Sequence, residues 1–286
     1  MIRKIIGLYL LCLLAGPLAA APIIEIDFNN VAGDQSLENR GTISTSGSFD
    51  GNAVFTSDAA PPNTGGWAGS FDGSTGGAQF ENYDQLEGLN DLTITAWINV
   101  DNDSFSRTRR IVDGADVPDI GNTQDRVDNT FGFELLFRSD EKISFRRNGG
   151  TEAATGDVKA ADGWKFIAAA FSGGQFVDFY IGDAGSVLPA GSADFGNSEP
   201  LGESTDTTDP LMIGRTDSDF FINRGEERVF PGLIDNVRIY DSALTQNDLN
   251  TVSQFNDVPE PGCAVLLLLA ALTFLRRRKR GPAEGR

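Results

Sequence analysis

Leu92-Thr93-Ile94-Thr95-Ala96-Trp97-Ile98-Asn99-Val100 keeps the clearest two-residue period in this 286-residue chain. Leu92, Ile94, Ala96, Ile98 and Val100 fall on one side of an extended backbone, and Thr93, Thr95, Trp97 and Asn99 on the other. That is a strand with one apolar face. Similar short runs lie on both sides of it, at 23–28, 53–55, 67–71, 78–80, 110–113, 131–137, 143–146, 164–171, 176–181, 211–213 and 229–240. Gly, Asn, Asp and Ser clusters separate them and supply turn chemistry. The 33 glycines and 20 phenylalanines suit a sandwich with many turns and large core side chains. The expected class is all-β.

Finer features follow from the same pass. Arg146-Arg147-Asn148-Gly149-Gly150 reads as a hairpin turn. Ser48-Phe49-Asp50-Gly51 and Ser70-Phe71-Asp72-Gly73 read as two similar turns. Residues 182–209 are poor in apolar side chains and read as a long surface loop or ribbon. One short helix is expected near the end: Thr245 and Asp248 form a capping box with Asp in place of Glu, and Leu249 and Val252 share one face.

The two ends carry a different signal. Met1-Ile2-Arg3-Lys4 precedes an apolar run over 5–14 and small residues up to Ala21. This is the layout of a secretory signal peptide, with cleavage expected after Ala20. At the other end Val258-Pro259-Glu260-Pro261 leads into an uncharged apolar stretch over 262–275 and then Arg276-Arg277-Arg278-Lys279-Arg280. Apolar residues followed by basic ones suit a helix inserted in a membrane with its basic end in the cytoplasm. The expected organisation is a signal peptide (1–20), one domain (21–257), a C-terminal apolar and basic segment led by VPEP (258–280) and a short tail (281–286).

Composition then excludes whole classes of chemistry. Setting aside the eight basic and two acidic residues of the end segments leaves 15 basic and 39 acidic ones, a net charge of −24. Such a surface repels nucleic acid. It also suits calcium, which takes oxygen ligands. The chain has no histidine, so Ser-His-Asp catalysis and His-ligated zinc are excluded within it. Its two cysteines, Cys12 and Cys263, lie in the end segments. Any catalysis would fall to carboxylates.

Two resemblances sharpen these expectations. The order VPEP, apolar stretch, basic cluster over 258–280 resembles the PEP-CTERM sorting signal of Gram-negative bacteria. It implies an exosortase-type membrane transpeptidase as partner, and a final location at the cell surface or in the extracellular matrix. In the domain, Ser70-Phe71-Asp72-Gly73 with Leu92 to Ile98, Gly163-Trp164-Lys165-Phe166-Ile167-Ala168, Phe179-Tyr180-Ile181-Gly182-Asp183, and Gly232-Leu233-Ile234-Asp235-Asn236-Val237-Arg238-Ile239-Tyr240 follow one another. Together they resemble the LamG-like jelly-roll domain of the concanavalin A-like lectin/glucanase superfamily. That implies a two-sheet antiparallel jelly-roll sandwich, and no single activity.

The candidate sites are few. Glu25-Ile26-Asp27 resembles part of the E-x-D-x-x-E motif of laminarinase-type glycosidases, but Asn30 stands where the third acid belongs. The superfamily resemblance implies a structural calcium where first and last strands meet, with Asp27 and Asp235 as its candidate ligands; backbone hydrogen bonding or pairing with Arg238 is the competing role for Asp235. Trp67 is the candidate for stacking on a sugar, whereas Trp97 and Trp164 belong to core strands. Arg107, Arg109 and Arg110 form the densest basic cluster of the domain and are expected to pair with nearby acids. The function expected is a non-catalytic, exported matrix or surface protein that binds a polysaccharide or another surface protein. The rival is a secreted glycan-degrading enzyme of the same superfold.

Overall fold

The computed structural model describes residues 20–29, 35–57, 61, 66–81, 84–101, 107–116, 131–148, 152–202, 210–216 and 228–254. All of them fall in the unit Met1–Asn256. Residues 1–19 of the expected signal peptide, the VPEP motif and the apolar tail lie outside the described residues.

Among the described residues, two eight-stranded antiparallel sheets face each other. At the middle of the first lies β7 (Leu92–Val100), between β12 (Lys165–Ser172) and β16 (Pro231–Tyr240). Beyond β12 come β13 (Phe176–Asp183) and β14 (Ser186–Asp194); beyond β16 come β5 (Ala68–Asp72) and β4 (Val54–Thr56). The short first strand β1 (Ile24–Ile26) also pairs with β16. The second sheet runs β11 (Glu152–Asp157), β10 (Lys142–Arg147), β9 (Phe131–Phe137), β8 (Arg109–Asp116), β15 (Leu211–Ile213), β6 (Ala78–Phe80), β3 (Ser46–Phe49) and β2 (Ser36–Glu38). This is the sandwich architecture the sequence led one to expect.

The space between the sheets is filled by side chains from alternate positions of both. Leu92, Ile94, Ala96, Ile98 and Val100 meet Ile111, Phe133, Leu135, Phe137, Ile143 and Phe145 from the opposite layer. Phenylalanines carry much of the volume. Phe49 and Phe71, from the two similar Ser-Phe-Asp-Gly turns, pack 6.1 Å apart beside Phe28 and Phe55. Each turn then uses its aspartate to hold backbone N–H groups: Asp72 accepts from Ser74 and Thr75, and Asp50 from Gly77. Gly214 has φ 82°, and a Cβ there would lie 2.3 Å from the Phe71 ring, so the close approach requires glycine.

The second face of β7 is largely buried too, in keeping with the place of Trp97 in a core strand. Trp97 packs edge-on to Phe166 at 5.6 Å, and Tyr240, Leu244, Leu249 and Val252 complete a small outer core. The cover is the helix α1 (Gln246–Val252). Thr93 explains how the chain reaches it: its hydroxyl donates to the Ser242 carbonyl at 2.7 Å and accepts the Leu244 N–H at 2.9 Å. Thr245 then caps the helix, and Asp248 accepts the Thr245 N–H at 3.0 Å, closing the capping box.

The same helix protects a sheet edge. Residues 186–194, expected as loop or ribbon, form the outermost strand β14, and most of its side chains face solvent. Asn250 accepts the Val187 N–H at 2.7 Å, and Gln246 donates to the Val187 carbonyl at 2.8 Å. Two side-chain amides thus take the place of a neighbouring strand, and Pro189 lies further along the same edge. The strands β2, β3 and β11 were also not foreseen; each is short or poor in large apolar residues.

Candidate functional site: a charged ladder on the second sheet

Phe133, Leu135 and Phe137 of β9 point into the core, so Glu134 between them points outward. Register sets Asp113 of β8 directly opposite Glu134, and Arg146 of β10 opposite it on the other side. Arg110 joins the first pair: its Nε donates to Asp113 at 3.0 Å, and its guanidinium also pairs with Glu134. Arg146 joins the next, donating to Glu134 at 2.7 Å and to Glu152 of β11 at 3.0 Å. Arg138 continues the row from Glu152 (2.8 Å) to Asp140 (2.8 Å). Carboxylates and guanidiniums therefore alternate in the order Asp113, Arg110, Glu134, Arg146, Glu152, Arg138, Asp140.

The ladder runs from dry to wet. Arg110, Asp113 and Glu134 are buried, Arg146 is 27% exposed, and Asp140 is 44% exposed. Burial alone would lower the pKa of Arg146, but Glu134 and Glu152 hold it above the usual guanidinium range. Burial likewise works against ionisation of Glu152, yet Ser144, Arg138 and Arg146 together hold its carboxyl below the usual range. Asp140 is lowered too, chiefly by its hydrogen bonds from Arg138. A general acid needs the opposite, a carboxyl raised toward neutrality. The row offers fixed donors and acceptors at its solvent end, which suits recognition of hydroxyl-rich molecules.

A pH dependence follows. Burial also opposes ionisation of Asp72, but the Thr75 and Ser74 N–H groups and the Asn52 amide bring its pKa down to about 2. Carboxyls lowered in the folded state stabilise it fully above their unfolded values, about 4. That contribution is lost as pH falls through the folded values. Melting temperature should therefore fall progressively below about pH 4. An Asp72→Asn chain should melt lower than wild type at neutral pH and converge on it near pH 2. Parallel curves would exclude Asp72 as a contributor.

The residues singled out in the sequence are dispersed. Trp97 is buried, Trp164 is half-buried against the outer core, and Trp67 is half-buried against the main core. Arg110 belongs to the ladder. Arg109 is partly buried, and desolvation with repulsion from Arg107 lowers its pKa. Glu25 and Asp27 part company: Glu25 accepts from Arg238 Nε at 2.7 Å, while Asp27 pairs with Arg40. Asp235 is fully buried, and its Oδ1 accepts the Asn236 N–H at 2.7 Å. Among the described residues no three acids gather into a metal-binding group. Asp27 and Asp235 thus meet different partners, Arg40 and the Asn236 backbone. Sequence reading missed Glu134, Arg138, Arg146 and Glu152. The signal available was an acid set between Phe133 and Leu135 in an otherwise apolar strand.

Comparison with known proteins points the same way as the fold. A laminin-G-like family model, described as concanavalin A-like lectin/glucanases superfamily, matches residues 72–250. No curated protein matches in sequence. Among solved structures, the fourth domain of an extracellular arabinanase from Geobacillus stearothermophilus, in complex with arabinotriose, is similar over 82% of this chain and 100% of that one. It has a TM-score of 0.56 at 16% identity. A Trypanosoma rangeli sialidase is similar with a TM-score of 0.51 at 14% identity, over 82% of this chain but 33% of its own. The receptor-binding domain of botulinum neurotoxin mosaic serotype C/D gives 0.55 at 13% identity, over 83% of this chain and 51% of its own. At these identities the likeness concerns the fold.

Proposed function

Since the chain belongs to the concanavalin A-like lectin/glucanases superfamily, we propose that its domain is a non-catalytic binding module for carbohydrate, carried by an exported surface or matrix protein. The observation that carries this reading is the ladder. Each of its carboxylates is matched to a guanidinium, and guanidiniums separate Asp113, Glu134 and Glu152 from one another. Retaining glycoside hydrolysis needs two carboxyls facing one another at about 5–5.5 Å across a substrate, one of them protonated. The solvent end of the row, at Arg146, Glu152, Arg138 and Asp140, is instead built to exchange hydrogen bonds with hydroxyls. An arabinanase domain of this fold in complex with arabinotriose supports a sugar as ligand. Export rests on the sequence of the two ends: the signal peptide brings the chain across the inner membrane, and Val258-Pro259-Glu260-Pro261 with the apolar and basic segments presents it to an exosortase-type transpeptidase.

Binding of the purified full chain to an array of polysaccharides, with reducing-sugar release followed on the same glycans, tests the domain's role. Binding without release is expected. Arg146→Met should weaken it about tenfold or more, the scale of one lost charge-assisted hydrogen bond. Sustained sugar release, abolished in Glu134→Gln, would instead establish the glycan-degrading enzyme.

A further inference from the structure

Glu152 bridges two arginines of the ladder. Its Oε1 accepts from Arg138 Nη1 at 2.8 Å, and its Oε2 accepts from Arg146 Nη2 at 3.0 Å. Guanidiniums take the carboxylates of ligands by the same charge-assisted hydrogen bonds. Resting on the binding reading above, we propose that Glu152 determines the specificity of the site. Its carboxylate fills, from within the chain, the place where the carboxylate of an acidic sugar would pair, so the domain takes neutral glycans and turns acidic ones away.

Each of the two arginines also holds a second acid on its far side. Arg138 donates from Nε and Nη2 to Asp140 at 2.8 and 3.4 Å, and Arg146 donates from Nη1 to Glu134 at 2.7 Å. Neither guanidinium can turn toward a ligand carboxylate without giving up one it already holds. Such a ligand would also set its charge beside Glu152 and Asp140, and like charges brought together repel. The net charge of −18 on the chain adds to the repulsion of polyanions. Lys142 stands 4.0 Å from Asp140, so its charge too is directed to an acid of the row. Hydroxyls meet no such penalty, because they donate to the carboxylate oxygens and accept from the guanidiniums. Glu152 itself is held below the usual carboxylate range, so the filling charge persists at neutral and mildly acidic pH. The Glu152 side chain is 17% exposed, and its place is therefore open to solvent on one side. With Glu152 cut back to alanine, Arg138 Nη1 and Arg146 Nη2 face one gap from two sides, while Asp140 and Glu134 keep their other nitrogens engaged.

The test compares wild type with Glu152→Ala, as purified full chains, in two ways. The first is thermal melting in sodium glucuronate, against equal sodium chloride and against glucose. Wild type should melt alike in glucuronate and chloride. Glu152→Ala should melt about 2–4 °C lower than wild type in chloride, the scale of a partly exposed ion pair in a domain of this size, and regain at least about half of that in glucuronate but not in glucose. Arg138→Gln added to Glu152→Ala should abolish the gain. The second is binding to neutral polysaccharides and to the same polysaccharides with their C6 hydroxymethyl groups oxidised to carboxylates. Wild type should prefer the neutral forms about tenfold or more, and Glu152→Ala should lose most of that preference. An alanine variant indifferent to glucuronate, or a wild type that binds the oxidised chains as tightly as the neutral ones, would overturn the proposal and leave the binding reading standing. A wild type that binds no glycan at all would overturn both.

Discussion

Replacing Arg110 by methionine is expected to cost about 3–5 kcal/mol of stability, the scale for removing one partner from a buried ion pair. Arg110 holds apart Asp113 and Glu134, which register places opposite each other on adjacent strands. Methionine fills much of the volume but neutralises neither acid. Two adjacent buried carboxylates resist ionising together, so the folded variant takes up a proton that the unfolded chain would release at neutral pH. The sign is then opposite to that of wild type: the variant gains stability as pH falls from 7 toward 5, while wild type does not. Urea denaturation at the two pH values separates them. A variant within about 1 kcal/mol of wild type, or one with no gain toward pH 5, would mean that the dry end of the ladder contributes little to stability.

That expectation also bears on function. A catalytic pair in this fold would be left with one carboxyl able to hold a proton near neutrality; here every carboxylate of the row meets an arginine. If Arg110→Met shifts stability as described, the wild-type row works as a clamp on the sheet, which would support the proposed binding reading. Rigid presentation matters for sugars, whose hydroxyls return little energy if the protein side chains must first be ordered.

The outline of the fold was legible because its signals are local. The period-two run of β7, the Thr245–Asp248 cap and the paired Ser-Phe-Asp-Gly turns each depend on neighbours within a few residues. The strands β2, β3, β11 and β14 were not legible because sheet neighbours hold them, rather than their own apolar pattern. In β14 most side chains face water, and its edge is held in part by amides from a helix far along the chain. The burial of Trp97 was expected from its place in a core strand, but the helix that covers it could not be assigned to that face without the topology. The ladder was hidden for a further reason. Which arginine meets which acid depends on register, and β8 carries a bulge between Arg110 and Val112 that no composition reveals. The partners of Asp27 and Asp235, Arg40 and the Asn236 N–H, likewise depend on how the chain folds back and not on a local pattern.

Arg238→Met should be the second severe substitution, at about 3–5 kcal/mol, which corresponds to a fall in melting temperature on the order of 10 °C. Arg238 is 1% exposed and lies where three elements converge. Its Nε donates to Glu25 of β1, and another nitrogen reaches the Val252 carbonyl at the end of α1 at 3.3 Å. Loss of the guanidinium leaves a buried carboxylate on β1 and an uncapped carbonyl on the helix. The two effects can be told apart. Adding Glu25→Gln removes the stranded charge, so the double variant should recover about half of the loss or more. What it cannot restore is the Val252 contact. Hydrogen exchange should then show α1 still loosened in the double variant, and with it the Val187 amide, because Asn250 accepts from that amide. If instead α1 and Val187 keep wild-type protection in the single variant, Arg238 serves β1 alone, and the helix is held by Leu249, Val252 and the Thr93 hydroxyl without it.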